Sequence, residues 1–364
     1  MKAVIIFIFV TFAACCAAQQ PAQPSAQSKP AGLTPASVSA LEQRAAAGDA
    51  QAQFELGHAY EEGNVVAQDD EKAIEWFRKS AEQGNAQSEN SLGVMYALGR
   101  GVTRDREEAV LWYRKAAKQG SADGIYNVAI SYYNGEGVEP NLNDAAAWMM
   151  AAQRKGDAQA TEALKHISQE LSDRMDLSKF RLAVLYEKGE EIPKDQNAAA
   201  ALYKELAEEK QLVWFVSQSR YKLCQMYAAG QGSPQDYAEA RSWCKKSGTE
   251  FSLIVLGRMA EQGLGQEKNP QEAIEYYREA AARAIPDGYM DTARLNLASG
   301  SHNGQKNAYF WYSIAVKRNI AGAEDKLREA AANLNEKEIA EQQKRVAAWL
   351  KMSRAERMKN SKNY

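Results

Sequence analysis

Apolar residues recur along most of the chain at three- and four-residue intervals. Leu92 and Tyr96 lie one turn apart, and Trp112, Tyr113 and Ala116 share one face of the segment that follows. Glycine punctuates both runs, as Gly99-Arg100-Gly101-Val102 after the first and Gly120 after the second. This spacing predicts two amphipathic helices joined by one glycine turn and closed by another. The arrangement returns at a fixed interval: Trp76, Trp112 and Trp148 are 36 residues apart, and so are Gly48, Gly84, Gly120 and Gly156. A period of that length predicts an all-α solenoid. Neither helix of a hairpin can bury its stripe alone, and stacked hairpins share a continuous core. Gly93 and Ala109 remove bulk where two antiparallel helices must approach closely.

The order Ala86, Leu92-Gly93, Tyr96, Gly99-Arg100-Gly101-Val102, Asp105, Ala109, Trp112-Tyr113, Ala116-Ala117 and Gly120 resembles the Sel1-like repeat, a relative of the tetratricopeptide repeat. The unit before it carries Leu56-Gly57, Tyr60, Ala73, Trp76-Phe77 and Ala81; the unit after it carries Val128-Ala129, Tyr132, Gly135-Glu136-Gly137-Val138 and Trp148. Weaker units are marked by Ala183, Tyr186 and Leu202-Tyr203, by Leu223-Cys224 and Trp243-Cys244, and by Leu256-Gly257 and Tyr276-Tyr277. Tyr309-Phe310-Trp311-Tyr312 closes a seventh. The resemblance covers residues 45–350 and implies an α/α solenoid superhelix of about six to seven helix-turn-helix repeats.

The period breaks once. Ala129 and Ala183 hold equivalent positions but lie 54 residues apart, and residues 156–171 resemble residues 321–334. Two repeat blocks follow as an expectation, 36–172 and 173–350, each closed by a cap-like helix, with a bend at 172–178. The tail at 351–364 is basic, with Lys351, Arg354, Arg357, Lys359 and Lys362 against Glu356. A solvated helix end is the simple reading, and contact with an acidic partner or anionic lipid is the alternative.

At the N-terminus Lys2 precedes an apolar run over residues 3–12 and small residues through Ala18, the pattern of an export signal at 1–18. The run is too short to span a bilayer. Two kinds of processing fit: Phe12-Ala13-Ala14-Cys15 reads as a lipobox that would acylate Cys15, and Cys16-Ala17-Ala18 suits cleavage that releases a soluble chain. Residues 19–35, rich in Gln, Pro and Ala, then serve as a flexible leader. The expected location is the periplasm, the outer membrane through a lipid on Cys15, or the exterior.

A net charge of -2 supplies no field for nucleic acid. His58, His166 and His302 stand outside any metal-ligand spacing and read as surface residues, and the Gly-x-Gly pairs lie between helices with no Gly-Lys-Ser/Thr after them. No catalytic, cofactor or metal residue is expected. The resemblance implies an adaptor that binds a protein or peptide on the concave surface lined by first helices. In tetratricopeptide-like geometry the residue before the Leu of Leu-Gly faces that surface; here it is Glu55, Ser91, Asn127, Arg181, Lys222 and Val255. Asn127, Arg181 and Lys222 would form a polar and basic track for an extended peptide, with Asn90, Tyr133 and Arg258 beside it, unless they are ordinary solvated residues. Some family members are described as β-lactamase-like or penicillin-binding, which leaves an envelope enzyme as one alternative and a regulator of a membrane sensor as another. Cys224 and Cys244 replace the Gly and the Tyr of the fifth repeat. By the same analogy they are offset by one helical turn, near the upper limit of disulfide reach, so a bond and two separate buried thiols both stay open.

Overall fold

Polar side chains start the helices and glycines end them. Asp49, Asn85 and Ser121 open first helices, and Asp69, Asp105 and Asn141 open second helices, each accepting a hydrogen bond from a backbone N–H in the first turn. Gly63, Gly99 and Gly135 end first helices at φ 69, 71 and 70°, a left-handed conformation that glycine adopts without strain. The second glycine of each Gly-x-Gly turn has a further duty. A Cβ on Gly101 or Gly137 would lie 2.2 Å from the carbonyl oxygen of Asp70 or Arg106, because the turn is pressed against the second helix of the preceding repeat.

The computed structural model of the protein describes residues 35–171, 174–211 and 213–361. Nineteen helices and no strand occur among them. Helix α1 (Pro35–Ala46) leads into three hairpins: α2 (Ala50–Glu62) with α3 (Asp70–Glu82), α4 (Ala86–Leu98) with α5 (Arg106–Lys118), and α6 (Ala122–Asn134) with α7 (Leu142–Arg154). Helix α8 (Ala158–Glu170) follows, then the pair α9 (Asp176–Lys188) and α10 (Gln196–Ala207). Next come α11 (Trp214–Ala229) with α12 (Tyr237–Ser247), α13 (Glu250–Gln262) with α14 (Pro270–Ala282), and α15 (Pro286–Ala298) with α16 (His302–Lys317). Helices α17 (Ala323–Ala331), α18 (Glu336–Lys351) and α19 (Arg354–Asn360) complete the chain. The signal, Cys15 and the leader lie outside the described residues, apart from Pro35 at the start of α1, and the expected bend at 172–178 falls partly outside them.

The chain divides into two compact units, one ending at Leu202 and the other starting at Tyr203. The division lies inside α10 and not at 172/173, where the broken period placed it. The reason is that α9 returns to α7: Ser178 Oγ donates to Asn143 Oδ1 at 3.2 Å, Arg181 pairs with Asp144, and Arg154 lies over the Tyr186 ring at 5.7 Å. Helix α8 buries only Ala160, Ala163 and Ile167, all on one face, and also packs on α7. It is an insertion that leaves the stacking of the fourth hairpin intact.

In the first unit, rings of second helices cover the glycines of first helices. A Cβ on Gly57 would lie 2.7 Å from the Phe77 ring, and one on Gly93 would lie 2.4 Å from Tyr113. Both rings are almost wholly buried, and burial of such a ring stabilises by about 1.5–3 kcal/mol. Polar bonds hold the hairpins and join them: within the first, Ser80 Oγ donates to the Ala50 carbonyl at 2.6 Å, and from the second, Ser88 Oγ donates to Ser80 Oγ at 2.7 Å and Arg100 bridges Glu61 at 2.9 Å and Asp70 at 2.8 Å.

The second unit is closed by an aromatic cluster in which Trp311 meets Phe310 at 4.9 Å and Trp349 at 5.1 Å between ring centroids. Its basic tail forms α19, started by reciprocal bonds between Ser353 and Glu356, and α19 packs on α14. The tail is thus helical through Asn360, with Lys351, Arg354 and Lys359 exposed to solvent.

Candidate functional site

The residues expected to line a peptide track are engaged within the protein. Asn127 and Asn90 are both 1% exposed, and Asn127 Nδ2 donates to Asn90 Oδ1 at 2.9 Å, joining α4 to α6. Their side chains face the neighbouring first helix, so these positions are not free of packing duty as the tetratricopeptide analogy suggested. Ser91 is buried as well. Arg181 pairs with Asp144, Tyr133 Oη donates to Glu170, and Arg258 Nη2 lies 3.3 Å from Asp287. Lys222 is half-buried on α11. Arg258 stays more than half exposed.

Cys224 and Cys244 are fully buried and joined by a disulfide, with 5.1 Å between their Cα atoms. The one-turn offset expected between them does not strain their reach. Helical side chains tilt toward the helix N-terminus, so Cys244 leans back over the position that Cys224 occupies. The aromatic residues of sister repeats lean in the same way over Gly57, Gly93 and Gly257.

His58 is buried and not a surface residue. It sits edge-on to Phe54 and Phe77, at 4.7 and 5.3 Å, with Nδ1 3.1 Å from Glu61. His302 is exposed, with Nε2 2.6 Å from Glu338. No cluster of three or more His, Cys, Asp or Glu suited to a metal occurs among the described residues. No helix among them is long and apolar enough to cross a membrane. A surface depression of about 540 Å³ is lined by Arg104, Asp105, Arg106, Glu107, Gly135 and Gly137. Three of its four charges have partners within the protein: Asp105 caps α5, Arg106 pairs with Glu136 at 3.0 Å, and Arg104 Nε donates to the Ala97 carbonyl at 2.8 Å.

An exposed aromatic face emerges on the second unit. Trp214 is 61% exposed and Phe251 is 52% exposed. Arg220 of α11 donates to the carbonyls of Ala207 and Glu209 at 2.9 and 3.1 Å, and Trp214 is the first residue of the same helix. Tyr221 lies two turns further along the same face of α11, as Arg258 does beyond Phe251 on α13. The Tyr221 and Phe251 rings, 6.2 Å apart, join the two columns. Burial pushes the Tyr221 phenol above its ordinary range, and the Arg258 guanidinium pulls it partly back. Together these residues offer apolar contact area with a cation at its edge. The repeat pattern held a partial signal for this face, because Phe251 stands where four sister repeats carry Gln51, Gln87, Asp123 and Gln218 and the fourth repeat carries Leu177. It is the one aromatic residue at a mostly polar position of the six repeats.

The Sel1 repeat profile matches residues 50–85, 86–121, 122–157, 177–210, 217–249 and 251–284. Similar solved structures include a protective antigen of uropathogenic Escherichia coli displaying an SLR fold, 28% identical over 85% of this chain and 71% of that one, with a TM-score of 0.40. A Sel1 repeat protein from Oxalobacter formigenes is 28% identical over 68% of this chain and 90% of its own, with a TM-score of 0.32. No curated protein matches the chain. The profile accounts for more than half of the residues, and the helix pairs observed follow its repeats one by one, so the chain belongs to the Sel1 repeat family, whose repeats generally serve as protein-interaction scaffolds.

Proposed function

We propose that this protein is an exported scaffold that acts by binding, not by catalysis, and that it holds a peptide or protein partner on the α11–α13 face. The partner presents an apolar anchor to Trp214, Tyr221 and Phe251, with Arg258 at the polar edge. The observation that carries this reading is the exposure of two large aromatic side chains on adjoining first helices, at 61% and 52%. Large apolar groups are seldom left together in water on a folded surface, and aromatic residues dominate the energy of protein interfaces. Export is supported by the charged and apolar pattern of the first eighteen residues and by a buried disulfide, which persists in oxidising compartments. In the lipidated form, Cys15 is the attachment point.

The test is a crosslinking pull-down from intact cells with the full chain. Wild type is compared with Trp214→Ala/Phe251→Ala and with Arg181→Ala, which alters a residue already paired to Asp144. The proposal expects a partner recovered by wild type and Arg181→Ala and lost by the double variant. Equal recovery by all three would refute the aromatic face.

A further inference from the structure

Three repeats share one device at the seam between their helices. A Cβ added to Gly57, Gly93 or Gly257 would come within 2.7, 2.4 and 2.4 Å of Phe77, Tyr113 and Tyr277, so in each the ring lies flush against a backbone without side chain. In the fifth repeat both partners are exchanged together. Cys224 occupies the glycine position and Cys244 the ring position, and both are completely buried between α11 and α12. A thiol is far smaller than a phenol. The third and fourth repeats vary the same seam, with Ala129 opposite Met149 and Ala183 opposite Tyr203, all fully buried, but in both a large side chain still fills the ring position; only the fifth repeat puts a small side chain at both positions and joins the two covalently.

We propose that the Cys224–Cys244 bond replaces the ring-on-glycine clasp, which makes the α11–α12 hairpin the one repeat of the described chain whose closure depends on an oxidising compartment. Reduction by a dithiol breaks the Sγ–Sγ bond, places one proton on each sulfur and converts the dithiol to its own disulfide. The seam then holds two small thiols where four sister repeats hold a ring and the third holds Met149, and the hairpin has lost its cross-link without regaining the packing. Helix α11 carries Trp214 and Tyr221, so loosening it also displaces that face. The inference itself concerns hairpin closure and stands whether or not the face binds a partner.

The test is hydrogen exchange on the full-length protein, oxidised and after treatment with dithiothreitol, with no binding partner present. Reduction should lower amide protection across Trp214–Ala229 and Tyr237–Ser247 by about tenfold or more and leave α4 and α5 unchanged. The variant Cys224→Gly/Cys244→Tyr, which rebuilds the clasp, should keep its protection in both conditions. Cys224→Ser/Cys244→Ser should match the reduced protein in both. Unchanged protection on reduction would overturn the proposal, as would an equal loss in α4 and α5, or a Gly/Tyr variant no better protected than the Ser/Ser one.

Discussion

Single residues in this protein act mainly through what they leave out. Gly93 has room for no side chain, because a Cβ there would meet the Tyr113 ring at 2.4 Å and the Ala109 carbonyl at 3.1 Å. Gly93→Ala should therefore destabilise the chain by about 1–3 kcal/mol, despite the higher helix propensity of alanine, as read from the urea midpoint. A different residue-scale effect acts at Glu338. His302 Nε2 at 2.6 Å and Lys306 Nζ at 2.9 Å, with the Asn335 backbone N–H, hold its carboxyl down to about 2. A carboxylate depressed on folding stabilises above its unfolded value, and the contribution fades as pH falls through the folded one. Glu338→Gln should lower Tm at pH 7, and the difference should close between the ordinary carboxylate range and about pH 2. The small residue of Leu-Gly was legible in the sequence as a site of close approach. Its partner was not, because the backward tilt of side chains on the facing helix decides what covers it. The burial of Asn90 and Asn127 was hidden for a similar reason: the same register position can face a neighbouring helix or open water, and the residue type alone does not say which.

Helices start and stop here at sites written locally in the chain, so the hairpins were legible from caps and glycines. Asp105 Oδ1 accepts from the Glu108 N–H at 3.0 Å. Asp105→Ala should cost about 1 kcal/mol, measured by urea denaturation. The insertion after the third repeat was equally legible, as a break in the period. Its consequence was not. Whether an extra helix ends a stack or sits beside it depends on long-range contacts such as Ser178 with Asn143 and Arg181 with Asp144, which no local pattern encodes. The tail shows the same limit. Its basic composition suggested a solvated end, and Lys351, Arg354 and Lys359 are exposed, but the reciprocal Ser353–Glu356 cap and the contact with α14 were not legible in composition.

For the molecule as a whole, period and small-residue pattern identified the family, while the surface that distinguishes this member lies in departures from the pattern. Phe251 and the Cys224–Cys244 pair are such departures, one on the open face and one in the seam behind it. Repeat scaffolds share their core and differ in what their helices present, so function is sought where the consensus is broken. Trp214 and Phe251 should supply most of the binding energy for the proposed partner. The direct measurement is a calorimetric titration of the captured partner into purified wild type and into Trp214→Ala/Phe251→Ala, with helix content matched by circular dichroism. The variant should bind more weakly by about tenfold or more, the scale of aromatic anchors at interfaces. Equal affinity in two equally folded proteins would contradict it and place the partner elsewhere on the chain.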